Sequence, residues 1–126
     1  MQIIFQCKLY EKLNRLSTAK QLCMQGLSIR KKMYGDAHPQ YASALVQLGK
    51  IYMQIKKFDS AEVCFTHALK IQENVLSEEH SDYINSLNNL ALVQVAQQKS
   101  YDAAHTLIKA NQLELKVYRK NLYFSF

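Results

Sequence analysis

Four histidines, three cysteines and a scatter of carboxylates are the side chains in this 126-residue chain best suited to chemistry. His38, His67, His80 and His105 include no HExxH pair, and none falls beside a cysteine at zinc-ligand spacing. Asp59, Glu62, Asp102 and Glu114 fall at expected turns and outer helix faces, with no sign of two acids buried together with separated pKa values. The chain also lacks a glycine-rich phosphate loop and a Gly-x-Ser-x-Gly elbow. These absences argue against an enzyme, and no metal or cofactor is expected. Cys7, Cys23 and Cys64 are odd in number and contain no CxxC pair. Cys23 and Cys64 sit among apolar neighbours, so all three are read as reduced structural thiols, which implies an intracellular, cytoplasmic protein. The apolar run at the N-terminus is too short for a signal peptide, and no segment reaches membrane-spanning length.

The elements that would carry any site are helices. Three glycines and one proline are too few for the tight turns of a β-rich fold. In LVQLGKIYMQI, residues 45–55, Leu45, Leu48, Tyr52 and Ile55 mark one helix face, yet Gly49 sits in its middle. Glycine there costs roughly 1 kcal/mol relative to alanine, so a packing gain should offset it.

A repeat supplies that gain. His38-Pro39-Gln40-Tyr41-Ala42 and His80-Ser81-Asp82-Tyr83-Ile84 start 42 residues apart, and the offset persists: Leu45/Leu87, Leu48/Leu90, Ala61/Ala103, Ala68/Ala110. The same step backwards recovers a third copy through Leu9, Tyr10, Leu13, Ala19 and Ile29. Gly49 aligns with Cys7 and Ala91, so each copy has a small residue where two helices would cross closely. One helix is expected from about Gln40 to Gln54 and a second from about Ser60 to Leu76, with the plan repeating. The slip of an aromatic from Phe58 to Tyr101, one place beyond its equivalent, predicts a small adjustment of the third turn. His38 and His80, at helix starts roughly 10 Å apart like stacked helices, are too far apart to share a metal and read as caps.

His38, Pro39, Ala42, Leu45, Leu48, Gly49, Tyr52, Phe58, Ala61, Phe65, Ala68, Leu69, Ile71 and Glu73 resemble the tetratricopeptide repeat (TPR) in the 42-residue form of kinesin light chains. His80, Leu87, Asn88, Asn89, Leu90, Ala91, Ala103 and Ala110 carry the resemblance in the next copy, which lacks a proline at Ser81 and an aromatic at Gln94. The resemblance implies an all-α fold, a right-handed α-solenoid of antiparallel helix pairs. Residues 1–37 would be a partial repeat, 38–79 and 80–121 full repeats, and 122–126 a tail or the start of a further helix. Uncovered helix faces at the ends suggest a piece of a longer array.

The first helix of each repeat then lines a concave face. Its outward positions are Lys8 and Lys12 in the partial copy, Ser43, Gln47, Lys50 and Gln54 in the next, and Asn85, Asn88 and Asn89 in the last. Amides both donate and accept, which suits a peptide backbone, and lysines attract acidic side chains. Asn88-Asn89 resembles the LNNLA motif that faces cargo peptides in kinesin-light-chain-type repeats. The lysine clamp of chaperone-binding repeats is absent, with Val46 and Leu92 in two of its rows. The expected role is a non-catalytic scaffold holding partner proteins or extended peptides, acidic ones favoured. The alternatives are self-association through the apolar array ends and, less favoured, RNA binding. The net charge of +6 is mild, and Arg30–Lys32, Lys56–Lys57 and Arg119–Lys120 read as solvated helix faces outside the groove. No membrane partner is expected.

Overall fold

The computed structural model describes residues 2–124. These form six α-helices and no strand: α1 (Gln2–Lys12), α2 (Leu16–Tyr34), α3 (Pro39–Gln54), α4 (Phe58–Val75), α5 (Ser81–Ala96) and α6 (Ser100–Phe124). Each packs on the next in chain order. The helices pair as α1/α2, α3/α4 and α5/α6, and the pairs stack into an α-solenoid.

Local chemistry sets the starts and stops. His38 and His80 cap α3 and α5, each Nδ1 accepting a hydrogen bond from the backbone N–H two residues on, at 3.0 and 3.1 Å. Pro39 occupies the first turn of α3, where its missing N–H costs nothing. The turns inside the three pairs close identically. Asn14, Lys56 and Gln98, spaced at the repeat period, all take left-handed φ near 60°. The backbone N–H groups of Arg15, Lys57 and Lys99 each donate to the carbonyl five residues back, at 2.8–2.9 Å. The third turn therefore undergoes no adjustment. Tyr101 stays on the surface, 76% exposed and edge-on to His105, so the shifted aromatic never enters the turn.

The small residues fall where helices meet. Ala19, Ala61, Ala68, Ala103 and Ala110 are buried, as are Gly26 and Gly49. The Phe65 ring of α4 lies over Gly49 of α3 so closely that an added Cβ would sit 2.7 Å from its Cε1. Buried clusters run continuously from Cys7, Cys23 and Ile51 through Tyr41, Ala68 and Ile71, then Phe65 and Val93, to Tyr83, Leu87 and Ala110. Burial of this shared apolar face holds the pairs together, because no pair covers its own face.

Two expectations are corrected. Cys7 and Cys23 are joined by a disulfide between α1 and α2, with Cα atoms 5.5 Å apart; only Cys64 is a free, buried thiol. The sequence equivalents of Cys7 and Cys23 are Gly49 and Phe65, so the covalent link takes the register at which the second pair uses a ring over a glycine. The ground for an intracellular placement disappears with the reduced state. Arg30 is the second correction. It is buried, and its Nη1 donates to the Gln40 carbonyl at 2.8 Å, tying α2 to α3. Burial holds its pKa below the ordinary arginine value. Residues 122–124 continue α6, while the last two residues of the sequence lie outside the described part. No helix among the described residues is long and apolar enough to cross a membrane.

Candidate functional site

Curvature decides which helix face can hold a ligand. The first helices touch one another, α1 with α3 and α3 with α5, whereas among the described residues the second helices α2, α4 and α6 do not. The array therefore bends with α1, α3 and α5 on its inner side.

Two hollows lie along that side, and Lys50 lines both. The first, about 430 Å³ between α1 and α3, is walled by Phe5 and Leu9 and edged by Lys8, Lys12 and Lys50. The second, about 330 Å³ between α3 and α5, brings Ser43, Lys50, Asn85, Asn88 and Asn89 together, with Gln72 and Ser86 also lining it. Eight of the nine residues expected in the groove thus line one hollow or the other. Gln54 lines neither.

Their states differ. Lys8, Lys12, Ser43, Lys50 and Asn85 are exposed and Asn89 half-buried, and among the described residues none of the six has a side-chain hydrogen bond or ion pair. Gln47 is buried, and its amide donates to Glu11 Oε2; Gln54 donates to Glu11 Oε1 at 2.8 Å. Both amides are thus taken up by one carboxylate of the chain itself, which stitches α1 to α3. Asn88 donates to Glu114 Oε1 of α6 at 3.0 Å. The free donors are therefore the three lysines with Ser43, Asn85 and Asn89.

Sequence reasoning missed Glu11, Gln72 and Ser86. Gln72 and Ser86 are 3% and 1% exposed, and Gln72 Oε1 and Ser86 Oγ have no hydrogen-bond partner among the described residues. The repeat period contained the signal for both. Gln72 aligns with Arg30, and Ser86 with the buried Ala44, so a polar group stands where the preceding copy has alanine.

The other chemical candidates have structural roles. His38 and His80 are caps, His67 lies edge-on to Tyr41, and His105 to Tyr101. Burial pushes the Cys64 thiol up to about 11, which leaves it protonated and unreactive near neutrality. A larger hollow, about 550 Å³, lies at the edge formed by the turns, where Lys99 is ion-paired with Glu62 at 3.1 Å.

A sequence profile of the tetratricopeptide repeat matches residues 6–73 and again 41–110. No curated protein matches the sequence. Among solved structures, BtubC (BKLC) from P. vanneervenii superposes with a TM-score of 0.83 at 20% identity, covering 89% of this chain and 45% of that one. A Podospora anserina putative kinesin light chain with nearly identical TPR-like repeats superposes with a TM-score of 0.84 at 21% identity, covering 91% and 54%. The chain thus spans about half the length of each. At such identities these likenesses speak for the fold, an α-solenoid of the kinesin-light-chain type. With the profile matched twice over most of its length and the helix pairs stacked as described, the chain belongs to the tetratricopeptide repeat family.

Proposed function

We propose that this chain is a non-catalytic scaffold that holds an extended segment of a partner protein along the inner face of α1, α3 and α5. One partial repeat, residues 1–37, and two full repeats, 38–79 and 80–121, would build that face. The observation that carries the proposal is the pair of hollows on the inner face, both lined by Lys50 and by further cations and amides that the chain leaves unengaged. Three lysines face one carboxylate in the first hollow, and Glu11 already accepts from Gln47 and Gln54. The surplus positive charge favours acidic residues in the partner, and Phe5 and Leu9 offer an apolar wall beside them.

The test is a selection of displayed peptides on the full chain, followed by affinity measurement for the winners. Lys50→Ala/Asn89→Ala should weaken the selected peptides by at least about tenfold, because both residues line the groove and neither supports the fold. Full affinity in that double variant would show that the peptides bind elsewhere. A second reading, self-association, rests on the exposed Leu107, Ile108, Leu115 and Tyr118 of α6. A molecular weight that rises with concentration in light scattering would favour it.

A further inference from the structure

The two junctions inside the chain are built from the same repeat positions. At the first, α2 receives α3, and Ala19 and Cys23 share a buried cluster with Ile51. At the second, α4 receives α5, and the equivalents Ala61 and Phe65 share one with Val93. One period further these positions fall on the two ends of the array. Ala103 and Leu107 stand on α6, which among the described residues receives no later helix, and Leu9 stands on α1, which no earlier helix receives. Ile51 and Val93 are fully buried, whereas Leu9 is 46% and Leu107 40% exposed. The rim of the second junction is polar: Gln97 donates to Asp59 at 2.8 Å, and Lys99 pairs with Glu62 at 3.1 Å. At the array ends the equivalents of Asp59, Glu62 and Gln97 are Tyr101, Ala104 and Leu13, and only Arg15, in the place of Lys99, keeps a charge. Tyr101 and Leu13 are both exposed. An end face that stays in water calls for polar residues. Here an Asp and a Gln that bond across a junction become a Tyr and a Leu, one on each end. The backbone at Leu13 is also set as at Gln97: its N–H donates to the Leu9 carbonyl at 3.0 Å, as that of Gln97 does to Val93 at 2.9 Å.

From this matching we infer that copies of the chain join head to tail. The α6 face of one copy receives α1 of the next, with Leu107 and Ala103 closing on Leu9 and Tyr101 on Leu13. The occupant is a second copy because the change to apolar residues is shared by both ends of one chain. A face meant for an unrelated partner needs no match at the opposite end. Burial of the exposed leucines supplies the attraction, and Arg15 meets Ala104, so no like charges oppose one another at these positions. The contact is heterologous: every copy added leaves one face of each kind free, so growth is open-ended. The inference rests on the self-association reading, to which it gives two faces and a direction, and it does not require the groove reading.

The experiment is sedimentation equilibrium of the full chain from about 10 μM to 1 mM, the range in which a weak contact between copies registers. The parent should rise in mass past a dimer without a plateau. Two variants each spoil one face: Leu9→Glu/Leu13→Glu the head and Tyr101→Glu/Leu107→Glu the tail. Each alone should weaken association at least about tenfold, because the new carboxylates would be buried in the contact. Mixed in equal amounts they should form a one-to-one dimer that grows no further, since one supplies an intact tail and the other an intact head. Circular dichroism melting curves matching the parent's qualify the variants. Should a double variant misfold, the single changes Leu13→Glu and Tyr101→Glu, at exposed positions that line neither hollow, take its place with the same expected pattern. Mixed variants that stay monomeric would overturn the inference, as would association that survives both changes. Association lost only in the tail variant would mean that α6 pairs with α6, which overturns the head-to-tail inference and leaves self-association standing. A parent chain monomeric throughout the range would remove both.

Discussion

Gly49→Ala sets helix propensity against packing, and packing prevails. In an isolated helix the change would stabilise by roughly 1 kcal/mol. Here the new Cβ would lie 2.7 Å from Phe65 Cε1, 2.9 Å from Cζ and 3.0 Å from Cδ1. Carbon atoms rest about 3.5–4.0 Å apart, so the ring must retreat by nearly 1 Å. A ring that is 1% exposed and packed with Ala61 and Val93 has little room to do so. Overpacking of this kind costs about 1–3 kcal/mol, which leaves Gly49→Ala destabilised by about 1 kcal/mol net. Phe65→Leu removes the ring, and in its presence Gly49→Ala should become neutral or stabilising, a favourable coupling of about 1 kcal/mol or more. Gly26→Ala is the internal control. Its Cβ would lie 2.5 Å from Ile4 Cδ1 and 3.0 Å from Cγ1, but the Ile4 terminal methyl can swing away more readily than a ring, so the change should cost less than Gly49→Ala. Urea unfolding followed by circular dichroism reads all four variants as midpoint shifts. A Gly49→Ala chain more stable than the parent, with no coupling to Phe65, would refute the close-crossing explanation.

Other predictions concern the staple, the turns and the C-terminal helix. Removing the Cys7–Cys23 link, which closes a 16-residue separation, should lower stability by about 3 kcal/mol. Before reduction a maleimide should label only Cys64, and only after unfolding. Lys56→Gly relieves a left-handed residue at φ 64° and should stabilise by about 0.5 kcal/mol in thermal unfolding. The Glu79 carboxyl is held below the usual range by hydrogen bonds from Lys120 and Lys116, with the charges of both lysines adding to the effect. Its contribution is present above the unfolded carboxyl pKa and is lost as pH falls through the depressed folded value. Protection factors near the end of α6, with the intrinsic exchange rate divided out, should fall over that acid range, and Glu79→Gln should lower them at every pH and remove that acid-range step.

The repeat and the helix crossings were legible because they depend on residue size at fixed spacing. Gly49, Ala61 and Ala68 announce a close approach wherever the period places them, and His38 and His80 announce caps by standing just before an apolar run. Pairings across helices were not legible. Glu11 engages Gln47 and Gln54 because α1 and α3 lie side by side, which the aligned copies do not reveal; its equivalent in the next copy is Met53. The disulfide was hidden because apolar surroundings suit a thiol and a disulfide equally. Its register, shared with Gly49 and Phe65, was the available clue. Ser86 and Gln72 were passed over because a buried polar group with no partner has no signature in residue type alone. Comparison with Ala44 and Arg30 exposes them.

Hydrogen exchange with and without a saturating acidic peptide from the selection tests the central claim most directly. The inner-face account predicts slower exchange around Lys8–Lys12, Ser43–Lys50 and Asn85–Asn89 of α1, α3 and α5, with the outward faces of α2, α4 and α6 unchanged. Slowing confined to the exposed apolar face of α6, with the first helices untouched, would contradict it.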